Sequence, residues 1–188
     1  MAQTDNLTLG SIFHLANIAD GLYMLGYAWL FGMSLWVTFF GAIISLKALP
    51  RQYFGTLQHR VFPVYFLQSV FLSSALLTKW IYTHPGVLNN LSNPYIGNVA
   101  QVYALGLVLA CQGCNRFIVI PQTSSIKFQR QKLEKKEGKE YNDPIASAEM
   151  KALNRRFMSL HGISSLANLT AVIALGIHGL WIGTAGAN

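Results

Sequence analysis

The sequence predicts an all-α polytopic membrane protein, a four-transmembrane-helix bundle with interfacial and cytosolic helical extensions. Two observations carry this expectation. Only 11% of the 188 residues are charged and 52% are hydrophobic, whereas soluble domains average about 25% charged residues. The apolar residues gather into four runs, Leu22–Leu46, Val61–Trp80, Gly97–Ile120 and Phe157–Ile182. Each is close to the ~20 residues that cross a bilayer core, and none holds an acidic residue. One domain covering residues 1–188 accounts for the chain, with a basic cytosolic loop at 121–156.

At the N-terminus, Met1 to Asp5 shows neither the basic segment nor the short apolar core of a cleaved signal. Ser11–Gly21 reads as a helical run-in at the interface, with Phe13, Leu15 and Ile18 apolar and His14, Asn17 and Asp20 polar. The first span carries Gly26, Ala28, Gly32, Ser34, Gly41 and Ala42. Its Ala28/Gly32 spacing would let another helix approach closely. Ser34, Thr38 and Ser45 can bond back to their own backbone. Pro50 ends this helix. Gln52–Arg60, with Phe54 and Leu57 apolar between polar residues, suits a short helix lying on the interface. Pro63 is expected in the first turns of the second span, where Gln68 would bond across to a neighbouring helix.

The connection Tyr82–Asn98 holds the turn formers Pro85-Gly86 and Asn93-Pro94. Asn6 and Asn90 stand in glycosylation sequons, Asn6-Leu-Thr8 and Asn90-Leu-Ser92. The motif is short enough that Asn168-Leu-Thr170, inside an apolar run, also fits it. The third span ends in Cys111-Gln-Gly-Cys114-Asn-Arg116. With two cysteines in the chain and no second Cys/His pair nearby, these read as small packing residues before a metal or redox pair. From Gln122 to Tyr141 the chain is polar and mostly basic, a solvated helix suited to rest on an anionic leaflet. Asn142-Asp-Pro144 breaks it, and Ser147 can cap a new helix that leads into the fourth span.

Charge placement sets an expected orientation. Four spans put Lys47–Arg60 and Arg116–Arg156 on one side of the membrane, and together they contain every lysine and arginine except Lys79. That side is expected to be cytosolic, with both termini lumenal or external. Arg51, Arg116, Arg155 and Arg156 would then meet lipid phosphates at the cytosolic interface. The net charge of +7 follows from topology, so anionic lipid headgroups are the expected partners and nucleic acid is not.

The fourth span carries the candidate site. His161, Ser164, Ser165 and Asn168 recur three to four residues apart and so share one helical face. In hydrocarbon each unpaired polar group costs several kcal/mol, so this stripe must face protein or water. With Gln68 and Gln112 it forms a polar intramembrane seam. Because no acidic residue lies in any span, neither a carboxylate pair nor a Ser-His-Asp set is available at membrane depth. No cofactor and no enzymatic activity are expected.

Several strings resemble the transmembrane protein 205-like family, and its fungal-type members in particular. Leu153-Asn-Arg-Arg-Phe157, Leu160-His-Gly-Ile-Ser-Ser-Leu166 and Asn168-Leu169 are similar to that family's last helix. Trp36-Val-Thr-Phe39, Leu49-Pro-Arg51, Phe54, Leu57-Gln58, Phe62-Pro63 and Tyr65-Phe66 are similar to its first hairpin. Asn115-Arg116 with Pro121 and Thr123 matches its third-span exit. The resemblance runs from about Tyr23 to Leu175; the run-in before Tyr23 and the Cys-x-x-Cys depart from it. It implies a small four-helix membrane protein without an established enzymatic activity, whose relatives have been linked to drug tolerance and secretory export.

Three functions are compatible with these residues. The first is a non-enzymatic accessory or scaffold of an endomembrane, with possible membrane-protein partners and the seam as interhelical packing. The second is a small transporter or export factor with a polar cavity around His161, an intramembrane ionisable residue. The third is a haem- or metal-binding redox protein, for which His59 and His161 are the one pair that topology lets meet.

Overall fold

The computed structural model describes residues 18–185 and is helical nearly throughout. α1 (Ile18–Leu35) passes through a π-turn (Trp36–Gly41) into the short α2 (Ala42–Ala48). α3 (Arg51–Thr83) returns, and a 3₁₀ segment (Pro85–Asn90) leads across to α4 (Gly97–Cys114). A second π-turn (Asn115–Val119) joins α4 to α5 (Ile120–Glu137), and α6 (Ala148–Ala185) closes the chain. Four helical stretches, Ile18–Ala48, Tyr53–Thr83, Gly97–Glu137 and Ala148–Thr184, are long and apolar enough to cross a membrane. The expected all-α four-helix bundle is the observed architecture. Most of the Ser11–Gly21 run-in, with His14, lies outside the described residues.

The helices pack as a ring of antiparallel neighbours. α3 lies between α1 and α4, α4 between α3 and α6, and α6 closes against α1. Short connections force this up-and-down order. Leu30, Leu76, Leu105, Val108, Ala171 and Leu175 fill the centre, with Tyr27 and Trp80 towards the end that carries the 3₁₀ loop. The apolar side chains facing away from this core stay exposed, Leu25, Trp29, Phe71 and Leu180 among them. That is the inside-out surface of a helix bundle solvated by lipid.

Several expectations are corrected. Gln52–Arg60 forms no separate interfacial helix; it is the opening of the 33-residue α3. Pro63 therefore sits inside a helix, where lipid-embedded neighbours and local adjustments tolerate it. Ala28 and Gly32 mark no close approach, since both are exposed and a Cβ at Gly32 would meet nothing within 4 Å. The tight crossing lies elsewhere, at Gly179, where a Cβ would collide with the Tyr27 hydroxyl.

The basic stretch folds into a helical hairpin that extends the third and fourth spans. α4, the second π-turn and α5 run on as one 41-residue stretch, about 60 Å at 1.5 Å per residue and twice a ~30 Å hydrocarbon core. Pro121 gives the second π-turn a cause. Lacking an N–H and crowding the carbonyl four residues earlier, it disfavours regular α hydrogen bonding there. α5 ends at Gly138, whose positive φ of 67° suits glycine and lets its N–H reach Glu134 O at 2.9 Å. The chain then folds back, and Ser147 caps α6 as expected, its Oγ accepting from Met150 N at 3.1 Å. This hairpin has its own small core of Leu133, Ala146 and Met150. Beside it the Arg130 guanidinium is held between the Tyr141 ring at 3.6 Å and the Phe157 ring at 4.8 Å.

Candidate functional site

The buried face of α6 repeats every seven residues through Met150, Phe157, Ser164, Ala171 and His178. Met150, Ala171 and His178 are fully enclosed, and Phe157 and Ser164 are half-buried. That spacing keeps one seam turned towards the ring. Polar side chains enter the seam at two heights.

The first layer centres on Asn168, which is buried. Its Oδ1 accepts from the Tyr65 hydroxyl of α3 at 2.7 Å and from Gln112 Nε2 of α4 at 3.2 Å. Its Nδ2 donates to Thr38 Oγ1, in the first π-turn, at 2.7 Å. Thr38 donates in turn to Ser34 O at 2.6 Å, and Ser34 Oγ lies 3.1 Å from the Tyr65 hydroxyl as an alternative acceptor. One amide side chain thus ties its own helix to the other three spans. Below this layer, Asn115 Nδ2 donates to Ser164 O at 3.2 Å. Within this seam the buried oxygens Gln112 Oε1 and Asn115 Oδ1 have no donor.

The second layer lies ten residues further along α6, about 15 Å away. His178 is completely buried. Its Nε2 accepts from the Tyr23 hydroxyl at 2.5 Å, and its Nδ1–H donates to Gln101 Oε1 at 2.9 Å. Both ring nitrogens are engaged, which leaves neither for a metal. Trp80 meets the imidazole edge-on at 5.1 Å, and the Tyr27 hydroxyl donates to Leu175 O at 3.1 Å. Between the two layers Leu30, Leu105, Val108, Ala171 and Leu175 form a mostly apolar plug, in which the buried Ser69 and Ser73 hydroxyls donate to carbonyls of their own helix.

The structure brings together part of the expected seam. Asn168 and Gln112 meet, and Ser164 joins through its backbone carbonyl. His161, Ser165 and Gln68 are exposed on the outer surface, so no polar cavity forms around His161. His161 instead stacks on Phe157, 6.4 Å between ring centres. The reason is local. His161 and Asn168 are seven residues apart and point the same way, but α1 and the first π-turn cover α6 at Asn168, whereas α2 turns off to pack on α3.

His59 is exposed and sits edge-on to Phe128 at 6.1 Å, so His59 and His161 rest on different aromatic partners. Among the described residues no three His, Cys, Asp or Glu side chains gather as a metal site would need. Cys111 and Cys114 are free and half-buried. Arg116 is half-buried, and Arg155 and Arg156 are exposed. Asn6 and the Arg51 side chain lie outside the described residues. Asn90 is exposed, with its Nδ2 donating to Gly86 O at 2.8 Å.

Neither His178 nor Gln101 is among the residues that the sequence singled out. A signal was present: Gln101 and Gln112 are eleven residues apart, three helical turns, and so share a face. Two glutamines on one face of an apolar run need partners on a facing helix.

Comparison with known proteins adds kinship. A family model described as a domain of unknown function (DUF4149) matches residues 25–132. Transmembrane protein 205 of Danio rerio is 22% identical over 173 residues, covering 86% of this chain and 89% of that protein. No solved structure matches. Four apolar helices and this relative together identify an integral, multi-pass membrane protein.

Proposed function

We propose that this chain, which belongs to the DUF4149 family, is a non-enzymatic accessory or scaffold protein of an endomembrane. The hub at Asn168 carries the reading. Its side-chain amide bonds to Thr38, Tyr65 and Gln112 on the three other spans. Polar groups matched to one another across helices lock a bundle. A solute pathway would instead need polar groups turned towards an open lumen. The apolar plug between the two polar layers supports the same conclusion.

In this reading the α5–α6 hairpin is cytosolic, both termini are lumenal, and the basic surface bearing Arg155 and Arg156 lies over anionic headgroups. The excess of lysine and arginine at the hairpin end supports that orientation. At the opposite rim the single lysine of that side, Lys79, is paired with Asp20 at 2.9 Å.

Flux measurements in proteoliposomes, combined with co-purification in mild detergent, test the proposal. The scaffold reading expects a stable larger assembly and solute flux no higher than in empty vesicles. A flux abolished by Asn168→Leu in a variant that melts like the parent would overturn it.

A further inference from the structure

The amide side chains of Gln101, Gln112, Asn115 and Asn168 are buried, and each bonds to a neighbouring helix. Gln68 of α3 is unlike them. It is exposed on the outer surface and makes no hydrogen bond to any described residue. Its depth makes that exposure costly. Arg60 and Lys79 stand nineteen residues apart on α3, about 28 Å and close to the ~30 Å of a hydrocarbon core. Gln68 lies eight residues from Arg60 and eleven from Lys79, so roughly 12 Å and 16 Å of hydrocarbon separate it from the two rims. Its side chain is too short to snorkel to either. Hydroxyls on the lipid face can turn back onto their own helix, as Thr170 does to Leu166 O at 2.9 Å. An amide, with two N–H donors and a carbonyl acceptor, needs a partner that offers both.

The surface around Gln68 has a pattern. Val61, Val64, Gln68, Phe71, Ala75 and Thr78 recur at alternating intervals of three and four residues, and all six are exposed. The face of α3 that carries Tyr65, Ser69 and Leu76 is the one buried in the bundle. Alternating three-and-four spacing is the seam of a left-handed helix pair, in which a single polar residue sets register and the number of strands. No described residue covers this seam.

Two features choose its occupant. Copies of one chain cross a membrane in the same direction. A two-fold axis along the membrane normal therefore sets two α3 helices parallel, each residue level with its own counterpart. A primary amide is also self-complementary, since the Nε2 of each Gln68 can donate to Oε1 of the other. Charge permits the approach. No charged residue lies between Val61 and Thr78, and Lys79 beside the seam is paired with Asp20 at 2.9 Å. We propose that two copies of this chain dimerise through the outer face of α3, with their Gln68 amides paired across the axis at the centre of the bilayer. The dimer stands independently of the proposed function, because it is read from self-association of the pure chain, with neither flux nor a co-purifying protein.

Single-molecule photobleaching tests it, on the full chain carrying one fluorophore and reconstituted at low density in phosphatidylcholine vesicles. Two-step traces are expected in excess of chance co-occupancy. Gln68→Leu removes no contact within the chain and should weaken self-association about tenfold, the equivalent of two interhelical hydrogen bonds. Gln68→Asn keeps an amide and should retain most of the pairing, and Ser165→Leu, on the exposed face of α6, should leave it unchanged. Cross-linking locates the face without touching Gln68. With Cys111→Ser and Cys114→Ser as background, Val64→Cys and Phe71→Cys should each give an intermolecular disulfide under mild oxidation, and Leu166→Cys, exposed on α6, should not. One-step traces at every density, pairing by Gln68→Leu equal to the parent, or cross-linking through α6 in place of α3 overturns the proposal. Traces of three or more steps overturn the two-fold pairing. Association that appears only when a second membrane protein is added would give Gln68 to that protein and overturn the dimer.

Discussion

Replacing Asn168 by leucine separates a structural hub from a surface polar residue. Leucine is close to asparagine in size and suits an apolar helix, so the change removes hydrogen bonds and adds little strain. Three bonds are lost, to Tyr65, Gln112 and Thr38. Interhelical hydrogen bonds in membranes average about 0.6 kcal/mol with a maximum near ~1.7, so three are worth roughly 2–5 kcal/mol. Part of this is recovered. The Tyr65 hydroxyl can turn to Ser34 Oγ, 3.1 Å away, and Thr38 keeps Ser34 O. Gln112 Nε2 keeps only the Tyr65 oxygen, at 3.4 Å. A net loss of about 2 kcal/mol is expected, and for a chain of this length that lowers Tm by about 4–8 °C. Tryptophan fluorescence during thermal melting in detergent reads it directly. His161→Ala is the matched control, since an exposed side chain stacked on Phe157 should change stability by less than about 0.5 kcal/mol. If His161→Ala melts as low as Asn168→Leu, or if Asn168→Leu melts with the parent, the hub is misassigned.

Other perturbations probe the remaining parts of the fold. Gly179→Ala should destabilise the α1–α6 crossing by about 1–3 kcal/mol, because its Cβ collides with Tyr27 and displaces the bond to Leu175 O; Gly32→Ala, open on all sides, should be neutral or slightly stabilising in the same melting assay. His178→Leu removes the partner of both Tyr23 and Gln101, leaving two polar groups unmatched. A loss of about 1–3 kcal/mol is expected, with Gln101→Leu in the same chain restoring part of it. Arg130→Ala should loosen the hairpin without unfolding the bundle, visible as faster amide exchange in 138–147 and unchanged exchange near Ala171.

Much of the fold could be read from the sequence because bilayer physics leaves few choices. Four apolar runs without an acid, separated by polar connections, admit little but a helix bundle. Gln112 and Asn168 were legible for the same reason, as polar groups at a depth where each must find a partner. Helix boundaries were harder. Pro63 reads as a helix start in isolation, yet α3 runs through it. Gln52–Arg60 has the composition of an interfacial helix, but it continues a span whose neighbours already project past the membrane.

The choice of His161 as the centre of the seam failed for a reason that periodicity cannot reach. A seven-residue repeat tells which side chains point the same way, and His161 and Asn168 do. What covers that face at each height depends on another helix. At Asn168 the cover is the first π-turn, through Thr38; two turns away, α2 has swung across to α3 and the face is bare. His178 was passed over by the converse error. Near the end of an apolar run it resembles a rim histidine, but Tyr23 and Gln101, drawn from the ends of two other spans, enclose it completely. The composition of one helix therefore fixes which residues need partners, and the path of its neighbours decides which of them receive one.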